Sequence, residues 1–494
     1  MPFRHGVYTS EVVTSLQTAP AVDSALPYVV GASVSAFGPV VVTSWRQFVE
    51  LSGITEGTHD VPGEDGWHSH SLVSFAYLWF RLCGRGDCIM RGIASADGTL
   101  SRTGVIAAIG EIDTVYERVR RLPSLIVVPY FGNVAEIWTA MKAKADLYGG
   151  RFRAVAVGDI ASNTHALSGQ TPDVISSPAD VADAKTVLSE SLALFWPYIG
   201  IGGMRFDMSS AACAVMNRVD AQNGGLPFVS PSNKNCYATG VYREAVVETK
   251  KASLVYSGGP SEQAKYLADS SNSPYILKTN PTSDSQLPLG AEYRIVEYPR
   301  VAVRKLEVVG DMYLCVDASA IPSGTAITLA YYIPAVAEYV EEPVYMTRDE
   351  VNTYLGANGV IGALNTADGW VLWGNNTTCF PGNTDVKDNM LAIRRMFNYT
   401  QNLFQVFAQP RIDNPLNRRQ LEGVVNAFNQ ILASLQGFGA LNSASVQIDD
   451  ERNTTEQLIR GVVYFRIRIA PPPPMQEING VFEFDVQGFE ASLA

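Results

Sequence analysis

Residues 124–157 read as one crossover unit, and this constrains the fold more than any other stretch. Ser124–Val128 is a short apolar strand ended by Pro129. Val134–Tyr148 carries Ile137, Met141 and Leu147 or Tyr148 at helical spacing and stops at Gly149-Gly150. Arg153–Val157 follows as a second apolar strand. Strand, helix and strand within about 30 residues join right-handedly and belong in a mostly parallel sheet.

The alternation continues. The spacing predicts a helix opened by Ser177 and Pro178, with Val181, Ala184, Leu188 and Leu192 on one face. A strand at Leu194–Ile199 and a helix at Ser209–Ala221, ended by Gly224-Gly225, come next. Near residue 250 the composition shifts to Tyr, Val, Thr, Pro and Ser, with strand-like stretches at Tyr293–Val296, Lys305–Val309 and Thr325–Tyr332. Thr347–Leu355 is helical in pattern, and Trp370–Trp373 reads as a buried strand.

The last part is the most legible. Val386–Phe407 places Met390, Ile393, Phe397, Phe404 and Phe407 along one stripe. Asn414 reads as the cap of a second helix with Pro415 in its first turn, its buried face made by Leu421, Val424, Val425, Phe428, Ile431 and Leu435. Gln457–Ala470 alternates as a strand, with Val463, Phe465, Ile467 and Ile469 on one side and Tyr464, Arg466 and Arg468 on the other. The prolines Pro471 to Pro474 make a stiff spacer. After them Phe482, Phe484 and Val486 alternate with Glu483 and Asp485, a strand pattern with no sequence-adjacent partner. It reads as a segment that reaches away.

Composition narrows the function. Of 494 residues 47 % are hydrophobic and only 17 % charged, against roughly 25 % in an average soluble domain. Ser, Thr, Asn and Gly take part of the surface role that charge usually fills, and buried surface between copies would take the rest. A net charge of −12 excludes a protein whose main work is gripping phosphate backbones. The basic runs Arg118, Arg120 and Arg121, Arg394 and Arg395, and Arg418 and Arg419 read as solvated or interface faces. The opening residues lack the apolar core of a secretory signal, and Pro27, Gly31, Gly38 and Pro39 interrupt the uncharged stretch 24–45, so no membrane insertion is expected. Cys83, Cys88, Cys213, Cys236, Cys315 and Cys379 show no paired spacing, against a disulfide scaffold or zinc ribbon.

No catalytic set, cofactor site or metal site is expected. His68 and His70, near His59, Asp60, Glu64 and Asp65, could bind a metal, but alternation in a polar loop explains them equally well. His5 and His165 stand apart. No G-x-S-x-G elbow occurs. Gly200, Gly202 and Gly203 read as a tight turn rather than a phosphate loop. Arg85-Gly86-Asp87 matches an adhesion tripeptide, which keeps a tail adhesin open beside an α/β hydrolase.

Seven stretches resemble, in order, the contractile tail sheath proteins of contractile-tailed bacteriophages and phage-tail-like bacteriocins. They are HGVYTSEV, VVGASVSAFGPVVVTSWRQFVELSG, AYLWFRLCGRGDCIMRGI, RVDAQNGGLPFVSPSN, DGWVLWGNNTT, IRRMFNYTQNLF and PPPPMQEINGVFEFDV. Asn376 stands where that family more usually has Arg. Residues 245–345 fall outside the resemblance and read as an outward decoration.

The resemblance implies an α+β multidomain chain. Its parts would be an α/β middle domain (23–244 with 346–379), a β-rich insertion (245–345), an N-terminal arm (1–22) and an α+β C-terminal assembly domain with its arm (380–494). It further implies hexameric rings stacked as a helical sheath around an inner tail tube, bounded by a baseplate and a tail terminator. Such a sheath sits in the virion tail and is assembled in the host bacterial cytoplasm, with no direct nucleic-acid contact. Strand exchange between subunits would use Gly6, Val7, Tyr8, Thr9 and Glu11 of one arm and Val481, Phe482, Glu483, Phe484, Asp485 and Val486 of the other. The accepting strand would be Val463, Tyr464, Phe465, Arg466, Ile467, Arg468 and Ile469. Glu483 and Asp485 would set register, with Arg466 and Arg468 either their partners or merely solvated. The sheath of a headless bacteriocin or injection system is the alternative within the same family.

Overall fold

Apolar runs from both halves of the chain meet in one eight-stranded mixed sheet. In the computed structural model its strands are β1 (Pro27–Ser33), β2 (Phe37–Val42), β3 (Cys88–Ala94), β4 (Leu125–Val127), β5 (Val155–Asp159), β6 (Leu192–Phe195), β7 (Val360–Thr366) and β8 (Gly369–Trp373). The structure describes residues 22–54, 70–96, 98–162, 175, 178–247, 250–255, 292–296, 298, 304–308, 311–315, 326–332 and 338–487. In space the order is β8-β7-β6-β5-β4-β1-β3-β2. The strands from β7 to β3 run parallel, and β8 and β2 close the two edges antiparallel. Central strands covered on both faces should be apolar throughout, and every residue of β1, β4, β5 and β6 is buried. Gly31 is required in β1 because a Cβ there would lie 2.7 Å from Ser71 Oγ, the hydroxyl that accepts the Ala32 N–H at 3.0 Å.

Four helices are central to the packing. Helix α1 (Ala135–Asp146) is the crossover between β4 and β5 and buries Ile137, Trp138, Met141 and Ala145. Helix α2 (Met208–Gln222) is buried without a break from Met208 to Met216. Helices α3 (Leu391–Ala408) and α4 (Arg418–Gly437) bring the C-terminal segment onto this body. The described residues of Tyr242–Pro343 form a second compact unit. Its strands include Tyr242–Val247 paired with Glu338–Pro343 and a hairpin of Arg304–Val308 with Asp311–Cys315. The chain is therefore α+β with a mixed sheet.

Several expected elements have different bounds. The helix from Ser177 is reduced to two turns, Pro178–Asp180 and Val181–Ala184, because Lys185 leaves helical geometry and carries its ammonium to the carbonyls of Asn358 and Phe380. Leu188 is 59 % exposed, and Leu192 pairs opposite Ala156 in the sheet. Pro197, which has no N–H, splits Leu194–Ile199 into β6 and a separate strand Tyr198–Ile201. That second strand turns through Gly202 and Gly203, both at positive φ, into Met204–Phe206, so the glycines are a two-residue hairpin turn. The long C-terminal helix is broken at Met390, whose extended backbone forms a β-bridge with Asn376.

Asn417, not Asn414, caps α4, accepting the Gln420 N–H at 2.9 Å. Asn414 belongs to the preceding turn, its N–H on Arg411 O. Of the expected face of α4, Phe428 and Leu435 are buried, joined by Leu432. Thr454 caps a helix at Thr455–Ile459 where Gln457–Ile459 read as strand, and Gly461 at positive φ turns the chain before the strand begins.

The basic pair on α3 is the largest departure from expectation. Arg394 and Arg395 are buried, Arg395 pairing with Asp220 of α2 and Arg394 with Glu190 at 3.1 Å. Arg121 holds Asp23 at 2.7 Å and Asp87 at 2.9 Å, so the aspartate of Arg85-Gly86-Asp87 is engaged in an ion pair within its own chain.

At the N-terminus of α2, Asp159 accepts from the Ser209 N–H at 2.9 Å and from its hydroxyl, and Asp207 accepts from the Tyr130 N–H. Burial, then the neighbouring Asp207, hold the Asp159 carboxyl well above the usual range, while Ser209 partly opposes them. An acid whose folded pKa is raised contributes stability below its unfolded pKa, near about 3.9, and loses it as pH rises through the folded value. Asp159→Asn keeps an acceptor for Ser209 and removes the titration. Thermal melts from pH 4 to 8 should therefore show the variant gaining on the wild type as pH rises, by up to about 1.4 kcal/mol per pH unit inside that window. A difference that does not change with pH would contradict this assignment.

Candidate assembly interface

The alternating segment near the C-terminus forms half of a two-stranded antiparallel sheet, β9 (Ser443–Ile448) with β10 (Phe465–Ala470). Register pairs Val446 with Ile467 and Ile448 with Phe465. One side of this ribbon packs on an aromatic cluster: Phe404 lies 5.0 Å from Phe428 and 6.2 Å from Phe465 between ring centroids, and Phe407 lies 5.1 Å from Phe428. Phe465, Ile467 and Ile469 are half-buried against it.

Which backbone groups face outward follows from the antiparallel alternation. Asp449 donates to Tyr464 O at 3.1 Å, so the pairs two and four residues along, Gln447 with Arg466 and Ser445 with Arg468, exchange ladder bonds. The intervening residues aim their N–H and C=O away from the ribbon. On β9 the outer edge is covered at Val446, whose N–H reaches Asn429 Oδ1 at 2.9 Å and whose carbonyl accepts from Asn429 Nδ2 at 3.2 Å. On β10 the outward residues are Phe465, Ile467 and Ile469, and among the described residues no strand pairs that edge.

Val463 and Tyr464, expected in the accepting strand, precede it. Tyr464 is bracketed by the Asn453 carboxamide, N–H and C=O both at 2.7 Å. Arg466 is held within its own chain, by Asp449 at 2.9 Å and Glu451 at 2.6 Å, and these hydrogen bonds, Glu451 first, raise its pKa. Arg468 is exposed. The clamps Asn429 and Asn453 and the acid Asp449 carry no periodic signal, so sequence reading passes over them.

Beyond the prolines the apolar side chains are exposed. Val481 is 87 % exposed, Phe482 96 % and Phe484 76 %; Glu483, Asp485 and Val486 are exposed as well. Gly6, Val7, Tyr8, Thr9 and Glu11 lie outside the described residues, as do His5, His59, Asp60, Glu64, Asp65, His68 and His165. His70 is buried with Nε2 3.0 Å from Ser95 O. Among the described residues no helix is long and apolar enough to cross a membrane.

A sheath chain solved in an extracellular contractile injection system, the PVC sheath complex in its contracted state, superposes with a TM-score of 0.56 over 99 % of both chains at 14 % identity. The contracted helical sheath of the anti-feeding prophage gives 0.54 over 97 % of this chain and 99 % of that one at 15 % identity. The chain has the contractile-sheath fold. In sequence the contractile-sheath resemblance extends to the tail sheath protein of Burkholderia phage BcepMu, 28 % identical over 108 residues, and the major tail sheath protein of Serratia phage KSP20, 28 % identical over 144 residues. These matches cover 22 % and 28 % of this chain, and 22 % and 34 % of the relatives. The chain thus matches about a fifth to a third of the length of these curated sheath relatives. No family model matches it.

Proposed function

We propose that this chain is the structural subunit of a contractile tail sheath, which polymerises as stacked hexameric rings around an inner tail tube and contracts to drive that tube through a bacterial envelope. The observation that carries the reading is one juxtaposition in a chain of sheath fold: an aromatic strand pattern left in water at Val481–Val486, and an open strand edge at Phe465, Ile467 and Ile469. A strand donated by one copy to the β10 edge of the next gains main-chain hydrogen bonds at about 0.5–1.5 kcal/mol each and buries Phe482 and Phe484 at about 1.5–3 kcal/mol each. The proline spacer holds the donor extended beforehand and lowers the ordering cost.

The role assigned is structural. Middle domain, β-rich insertion and C-terminal assembly domain with its two arms are the parts proposed, the N-terminal arm at Gly6–Glu11 being the second donor. Because Arg466 is already paired, Arg468 is the better partner for Glu483. Contraction is then a switch between two packings of the same bodies, with the arms as tethers and no fuel molecule. Its partners would be further copies of itself, the tube, the baseplate and the tail terminator, in a virion tail assembled in the host cytoplasm.

The structures sharing the fold include an extracellular injection system, so a headless contractile device is the second reading. Negative-stain microscopy of the purified full chain should show cylinders or stacked rings. Monomers alone at every concentration would overturn the proposal, and capsids on native particles would decide between virion and headless device.

A further inference from the structure

The chain repeatedly uses a carboxamide as a strand edge one residue long. Asn402 accepts the Arg153 N–H at 2.9 Å and donates to Arg153 O at 2.8 Å. Asn429 treats Val446 in the same way, and Asn453 treats Tyr464. Each brackets the N–H and C=O of a single residue. Asn375 has the same equipment and is 5 % exposed, yet neither its Oδ1 nor its Nδ2 has a hydrogen-bond partner among the described residues. A buried amide left so is costly, and the backbone on either side of it is fixed. Its carbonyl accepts the Leu391 N–H at 2.8 Å, and the preceding Gly374 N–H donates to Ser232 Oγ at 3.1 Å.

Asn375 lines a cavity of about 620 Å³ together with Trp373 and with Pro474, Met475, Gln476 and Ile478 of the C-terminal tail. We propose that this cavity is a seat for extended peptide, and that its occupant is the chain's own tail at Met475 or Gln476, bracketed by Asn375. Pro471 to Pro474 have no N–H, so Met475 and Gln476 are the first tail residues able to offer both groups. Met475 is 86 % and Ile478 81 % exposed, so the tail gains little burial where it now lies and gains more by moving inward. The seat is a property of one chain and acts five or six residues before the exchanging strand. Its use, fixing the direction in which Val481–Val486 leaves the body, rests on the sheath reading.

Hydrogen exchange on the full chain, monomeric and assembled, tests this. The Met475 or Gln476 amide should exchange at least tenfold more slowly in wild type than in Asn375→Ala, with Asn479 and Gly480 unchanged. Should that variant fail to fold, Asn375→Asp, which keeps the side-chain volume and loses the amide donor, replaces it and should speed exchange of that same amide. Equal, fast exchange in wild type and variants, in both states, overturns the seat. So does protection that survives Asn375→Ala or that vanishes on diluting the monomer, which would assign the occupant to another copy. Cylinders with a freely exchanging tail remove the seat and keep the sheath; a protected tail in a chain that never polymerises does the reverse.

Discussion

Phe484→Pro, or removal of Val481–Ala494, is expected to abolish polymerisation and leave a folded chain. Proline deletes the N–H that an inserted strand must offer and places a ring where the acceptor edge approaches, so it is tolerated only outside a paired strand. The body should not notice. Phe484 is 76 % exposed in the isolated chain, and the segment from Val481 to Asp485 carries no helix or strand there. Circular dichroism and the melting temperature should match wild type, while sedimentation and negative stain show monomers only. Phe484→Tyr, which keeps the backbone donor and most of the apolar surface, should polymerise. Wild-type-length tubes from the proline variant would refute the assignment of this segment as the donor.

The second large effect lies inside the body. Asp220 and Arg395 are paired with 2 % of each side chain exposed, and Arg395 also reaches Ser24 O at 3.2 Å. Burial pushes the Asp220 carboxyl up, and the guanidinium partly offsets it, so removing Arg395 leaves the burial cost of this acid unopposed. Arg395→Leu strands a carboxylate in the interior and should destabilise by about 3–5 kcal/mol, read as a lower urea midpoint. The double variant Arg395→Leu with Asp220→Leu should recover most of that loss, since two apolar groups need no pairing. A single variant within about 1 kcal/mol of wild type would show that the pair does not hold α3 to α2.

These two predictions differ in how far they could be read from the chain. The proposed donor segment stands out by its period-two alternation after four prolines, and in the isolated chain Val481–Asp485 forms no strand of its own. Strands buried on both faces were legible from their pattern: Leu125–Val127 and Val155–Asp159 are apolar runs that only a covered sheet accommodates. The buried face of α3 was not. Arg394, Arg395, Asn398, Thr400 and Asn402 occupy it beside Ile393 and Phe407, and nothing local says that Asp220, Ala154 and Arg153 wait opposite. Periodicity assigns polar residues to solvent, and partners some 175 to 250 positions away override it. The misplaced cap at Asn414 has a local origin, because Asn414 and Asn417 are equally capable acceptors and only the end of the preceding turn chooses between them.

The ten residues from Pro471 to Gly480 join the end of β10 to the first residue of the donor. Fully drawn out they span at most roughly 33–36 Å. That length is a leash. If Val481–Val486 docks on a neighbouring copy as proposed, donor and recipient must stay within that length through any rotation of the bodies, or the strand is torn from its slot. Four of the ten positions are already near full extension, so little slack is left to take up. In the proposed sheath the spacer would therefore cap how far neighbouring bodies can separate.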